Sequence, residues 1–127
     1  MQIVAALFAD DIDVRSVEGP STRLELRGIR FSEAAPAFPA TVEPHLFVIV
    51  RCAPDDDPSA VLEVRFLRDG EQVARNVQPL QIEPGKFAYR LVRAELDFDA
   101  PSTVEAHCSI DRGDPVVVPL TMLAPGD

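Results

Sequence analysis

Apolar and polar residues alternate with a period of two along most of this chain. Val104, Ala106, Cys108 and Ile110 alternate with Thr103, Glu105, His107 and Ser109. Leu62, Val64 and Phe66 alternate with Glu63 and Arg65 in the same way. A helix needs apolar residues three and four apart, so this pattern predicts strands that each bury one face. The segments it marks are 2–9, 23–31, 46–52, 60–67, 72–77, 87–96, 102–110 and 116–122.

Turn chemistry separates these segments. Gly19-Pro20-Ser21 precedes the second, and Asp69-Gly70 between the fourth and fifth is a strong two-residue hairpin signal. Glu83-Pro84-Gly85 and Asp111-Arg112-Gly113-Asp114 mark two further turns. Residues 32–44 carry Pro36, Pro39 and Pro44, which closes that connection to any helix. About seven to eight short strands at this spacing predict an all-β antiparallel β-sandwich, immunoglobulin-like, with Greek-key connections. A single domain over 1–123 is expected, with a frayed tail at 124–127. With 127 residues, 46% of them hydrophobic, the chain has the material for a core without a disulfide or a metal.

Three places refine the pattern. In 23–31, Leu24 and Leu26 share one parity while Ile29 and Phe31 share the other, with Gly28 between them. A β-bulge at Gly28 is predicted, which would turn all four side chains into the core and keep Arg30 out of it. Segments 2–9 and 46–52 are apolar on both parities, which predicts a central place for 46–52. Their second face must be covered by 32–44, by a second copy of the chain or by a partner. Pro119 lacks a backbone donor, so 116–122 is predicted at a sheet edge.

The opening Ala5-Ala6-Leu7-Phe8-Ala9-Asp10, the Phe38-Pro39 pair, the Asp69-Gly70 hairpin and the closing Val118-Pro119-Leu120 span most of the chain. In these features the chain resembles a family of short bacterial proteins known as a β-sandwich domain of unknown function. The resemblance implies that fold and brings no activity with it. The sequence departs from the family in 23–31, where a more glycine-rich segment is expected.

The formal charge of −9 argues against a nucleic-acid partner, because phosphate binding relies on a surplus of Lys and Arg. No stretch reaches the ~20 apolar residues of a membrane-spanning helix. The apolar run 3–9 is too short for a secretory signal and runs into Asp10 and Asp11. The expectation is a cytoplasmic protein that engages neither nucleic acid nor membrane.

Catalytic and cofactor chemistry find no support in the pattern. Cys52 and Cys108 both fall on apolar parities, yet the chain has no Trp, and Ala106 stands where an immunoglobulin domain carries its corner Tyr. Two buried, reduced thiols are predicted rather than a bridge. His107 and Cys108 are neighbours on one strand and point to opposite faces, as do His45 and Cys52 by parity, so no zinc site or cysteine nucleophile is expected. There is no Gly-x-Ser-x-Gly elbow, and only six glycines are spread along the chain, so no phosphate loop is expected. The protein is expected not to be an enzyme, and no catalytic or cofactor-binding residue is assigned.

The acidic loops remain. If successive strands alternate in direction, one end of the domain gathers Asp10, Asp11 and Asp13, then Asp55, Asp56 and Asp57, then Glu83, and Asp111 with Asp114. Such a cluster could ligate Ca²⁺, which takes six to eight oxygens, or dock a basic partner. The leading expectation is a non-catalytic module acting through protein–protein contacts, in an accessory or scaffold role, with a protein partner or as a homodimer. A domain binding a divalent cation at the acidic end is the alternative, and a small enzyme the third reading.

Overall fold

A computed structural model describes residues 1–16 and 22–126. The turn signal at 19–21 and the last residue of the 124–127 tail lie outside the described residues. The fold is all-β, with twelve strands among the described residues. They are β1 (Gln2–Phe8), β2 (Asp11–Ser16), β3 (Thr22–Arg27), β4 (Ser32–Ala34), β5 (Ala40–Val42) and β6 (His45–Arg51). The second half holds β7 (Ser59–Arg68), β8 (Glu71–Gln81), β9 (Phe87–Arg93), β10 (Leu96–Phe98), β11 (Ser102–Ile110) and β12 (Val116–Leu123). Four of them, β2, β4, β5 and β10, correspond to no strand expected from the pattern. Strands of three residues are too short to display a period, which is why β4, β5 and β10 went unpredicted.

A three-stranded sheet has the order β1-β6-β9, and a five-stranded sheet the order β4-β12-β11-β7-β8. Two small pairs, β10-β5 and β2-β3, complete the structure. Side chains from both larger sheets join one hydrophobic cluster: Phe8, Leu46, Val48, Val50 and Val92 meet Leu62, Val64, Phe66, Val104, Leu120 and Met122. The alternation is therefore expressed as expected in the long strands, where β1, β6, β7, β11 and β12 each turn one parity into a shared core. The doubly apolar β6 sits in the middle of its sheet.

The Asp69-Gly70 signal is realised as a two-residue turn. Both residues have positive φ, 50° and 79°, which matches the right-handed twist of β7 and β8. β12 is not an edge strand as a whole, because β4 pairs parallel with it over Thr121 to Leu123. Pro119 lies outside that short register, opposite Glu105 of β11, so its missing N–H leaves the β4 ladder intact.

Edge strand β9 is finished by side chains rather than by another strand. Its Leu91 carbonyl accepts from the Gln78 amide at 3.0 Å, and its Tyr89 carbonyl from Arg90 Nη1 at 2.9 Å. Carbonyls satisfied in this way are poor templates for a further strand.

The segment around Gly28 corrects the sequence expectation. Gly28 has φ 67° and ends β3 instead of forming a bulge. The chain then folds back over the end of β1, with Asp10 N–H donating to the Arg27 carbonyl at 2.8 Å and Arg30 N–H to that of Phe8 at 2.9 Å. Ile29 and Phe31 stay exposed, 46% and 64%. The bulge was expected because a buried, unpaired Arg30 would be costly. Here Arg30 pairs with Asp10, and with Glu33 at 3.2 Å, so that cost does not arise.

Candidate functional site

The two large sheets present unlike outer faces. On the five-stranded sheet the outward row sets charged and polar groups among exposed valines: His107 faces Arg65 across the ladder, Arg75 bonds Glu63 at 2.6 Å, Thr103 meets Thr121 at 2.8 Å, and Val61, Val77 and Val117 stand between them. On the three-stranded sheet the outward parity carries Leu7, Phe47, Ile49, Leu91, Tyr89 and Phe87. Phe47 is 3% exposed although it lies outside the central cluster, so something other than the second large sheet covers it.

The β2–β3 hairpin lies over part of this face. Its register pairs Ile12 with Leu26 and Val14 with Leu24, which puts four apolar side chains on one face. The other face carries Asp11, Asp13, Arg15, Arg23, Glu25 and Arg27. Arg27 Nε lies 2.9 Å from Asp11 and Arg15 Nε 3.1 Å from Glu25, all of these groups exposed. Val14 and Leu24 line a groove with Ile49, Phe87 and Tyr89, so the apolar face of the hairpin is turned towards the outer face of the sheet. Of the three covers expected for this face, residues 32–44 are engaged elsewhere. There β4 pairs with β12, β5 pairs with β10, and Ala35 joins the core cluster.

The roof is partial. The groove left between hairpin and sheet has a volume of about 700 Å³. Phe87 at its mouth is 59% exposed and Val14 on its hairpin wall 56%. Among the described residues its charged lining is Lys86 and Arg90, with no carboxylate. Lys86 forms an ion pair with Glu83 at 2.8 Å, which raises its pKa through that hydrogen bond. No chemical motif in the sequence marks this site. The signal was available: in 87–93, Phe87, Tyr89 and Leu91 share one parity and Ala88 and Val92 the other, the doubly apolar pattern already recognised in 46–52.

The acidic residues are not gathered at one end. Asp10 and Asp11 follow the end of β1, where Asp10 pairs with Arg30 and Asp11 with Arg27. Asp13 accepts from Arg27, and that hydrogen bond holds its carboxyl below the usual carboxylate range. Asp56 lies where β1 begins, 2.9 Å from the Met1 amine, whose hydrogen bond lowers the Asp56 pKa. Asp55 is exposed beside it, and Asp57 Oδ1 accepts from the Ser59 N–H at 2.9 Å. Asp111 belongs with this second group, since its charge also acts on the Met1 amine, and its carboxylate accepts from the Val61 N–H at 2.9 Å. Asp114 is exposed in the same turn. The expected alternation fails because β6 runs antiparallel to β1, the intervening β2, β4 and β5 having broken the count. Among the described residues no three of His, Cys, Asp and Glu gather closely enough to hold a metal ion.

Cys52 and Cys108 are both buried and free, as expected from their parity. Burial pushes the Cys108 thiol up to about 12, so it is protonated and unreactive at neutral pH. His107 turns outward, 3.4 Å from Glu105, and His45 Nδ1 lies 3.0 Å from the Asp10 carbonyl. Neither adjoins a thiol or hydroxyl in a nucleophile–base pair. Among the described residues no helix is long and apolar enough to cross a membrane.

No protein-family model matches the chain, and no curated protein matches it.

Proposed function

We propose that the chain is a non-catalytic, immunoglobulin-like β-sandwich module that acts through protein–protein contacts, in an accessory or scaffold role, and that its docking surface is the groove between the β2–β3 hairpin and β9. The sandwich reading is supported by the single cluster shared by the two large sheets, and the resemblance to a bacterial family of unknown function agrees with it. One observation carries the docking reading. The outer face of the three-stranded sheet brings three large apolar side chains together, and its roof stops short, leaving Phe87 59% exposed beside Ile49 and Tyr89. An apolar surface rimmed by polar residues marks an interaction site more often than chance exposure does.

Quantitative co-purification from the native host tests the proposal, using wild type, Phe87→Glu and Val61→Glu. Val61 is exposed on the outer face of the five-stranded sheet and serves as the control. The expected result is a defined partner at fixed stoichiometry that Phe87→Glu loses and Val61→Glu keeps. A partner retained by Phe87→Glu, or lost equally with both variants, contradicts this docking surface.

A further inference from the structure

The occupant of this groove can be taken one step further, on the premise that the groove is the docking surface. We infer that it receives an extended acidic segment of a different protein, one in which carboxylates neighbour bulky apolar side chains. Two observations carry this. The first is charge. In a chain of net charge −9, with 21 acidic residues against 12 basic ones, the charged lining of the groove among the described residues is Lys86 and Arg90. An apolar floor with cations at its margin complements an apolar anchor flanked by carboxylates, and the cations select against basic segments.

The second observation concerns which acidic segment can reach it. Among the described residues the acidic runs of this chain do not offer such a ligand, since Ile12 between Asp11 and Asp13 sits on the hairpin face that carries Val14 and Leu24. Phe98 stands between Asp97 and Asp99 but is fully buried, and Val14 beside Asp13 is itself a wall of the groove. The other large exposed apolar residues among those described, such as Ile29, Phe31, Val61, Val77 and Val117, have no acidic neighbour in sequence. Among its described residues a second copy therefore offers no matching segment. A strand added to β9 is also disfavoured, because its Tyr89 and Leu91 carbonyls already accept side-chain donors. Recognition then rests on side chains entering the groove.

The test uses a fluorescent peptide of alternating glutamate and phenylalanine residues, read by anisotropy. Two companion peptides replace every glutamate by lysine or every phenylalanine by serine. The glutamate–phenylalanine peptide is expected to bind at least about tenfold more tightly than either companion. Its affinity should fall about fivefold in Arg90→Gln, the factor that roughly 1 kcal/mol of a rim ion pair corresponds to. Phe87→Ser should weaken it further, while Arg75→Gln, the same charge change on the opposite sheet, should leave it unaltered. Added salt should weaken it too. Equal binding of all three peptides, insensitivity to Arg90→Gln, or binding to anionic phospholipid vesicles in place of the peptide overturns the inference. If the peptide fails while co-purification still shows a partner lost with Phe87→Glu, only the ligand chemistry is wrong. If that loss is also missing, the docking surface itself is wrong.

Discussion

Gly28 shows how a single residue decides local geometry, and how its identity can be read correctly and its role wrongly. The sequence singled it out because hydrophobic phase changes across it. Its positive φ, 67°, ends a strand instead of bulging one. A Cβ there would overlap the Asp10 carboxylate, which pairs with Arg30. Gly28→Ala should therefore destabilise by about 1–2 kcal/mol, adding left-handed strain to a displaced ion pair. Gly70→Ala should cost less, since its positive-φ position has open space around it. Urea midpoints of the two variants check this, and the reverse order contradicts it. The cysteines were more legible, because parity alone places a strand residue inside or outside. With its thiol pushed up to about 12 by burial, Cys108 should react with a bulky thiol reagent at pH 8 only as fast as the protein unfolds. Rapid labelling of the native protein would show that thiol to be exposed.

The hairpin is the element that the sequence did not announce. β2 offers only Ile12 and Val14 among charges, a pattern that passes for a polar loop until Leu24 and Leu26 are set across from them. The four form one apolar face only in the folded register, and register is a tertiary fact that a single segment does not carry. The consequence is testable by position. Leu26→Asp, half-buried on the apolar side of the hairpin, should destabilise by about 1–3 kcal/mol. Ile29→Asp, just beyond the end of β3 and 46% exposed, should change stability by less than about 0.5 kcal/mol. Equal effects at the two sites would mean that the hairpin does not lie as described. Its charged face titrates in a definite direction. Hydrogen bonding to Arg27 holds Asp13 below its ordinary value of 3.8, so the contribution of this pair is present above that pH and is lost as pH falls through the lower folded value. An NMR titration of the Asp13 carboxyl should place its midpoint below 3.8; a midpoint at or above it contradicts the pairing.

At the scale of the whole molecule, the period of two disclosed the fold class and the inward faces, because each strand reports its own burial. It disclosed neither which sheets meet nor where the loops converge. The expected acidic end depended on counting strands, and missing three of them between β1 and β6 separated Asp10 and Asp11 from Asp55, Asp56 and Asp57. What remains is an asymmetry: one outer face where single valines stand among charges, and one outer face with clustered aromatic side chains, partly roofed by a hairpin. The central claim is that Phe47 and Phe87, on the same parity of neighbouring strands, have different tasks, one in folding and one in docking. Equilibrium urea denaturation of Phe47→Ala and Phe87→Ala tests it directly. Phe47→Ala should lose about 3–5 kcal/mol, as truncation of a buried phenylalanine does, and Phe87→Ala should stay within about 0.5 kcal/mol of wild type. A comparable loss at Phe87 would mean that its ring is held for stability and that the groove is not open to a partner.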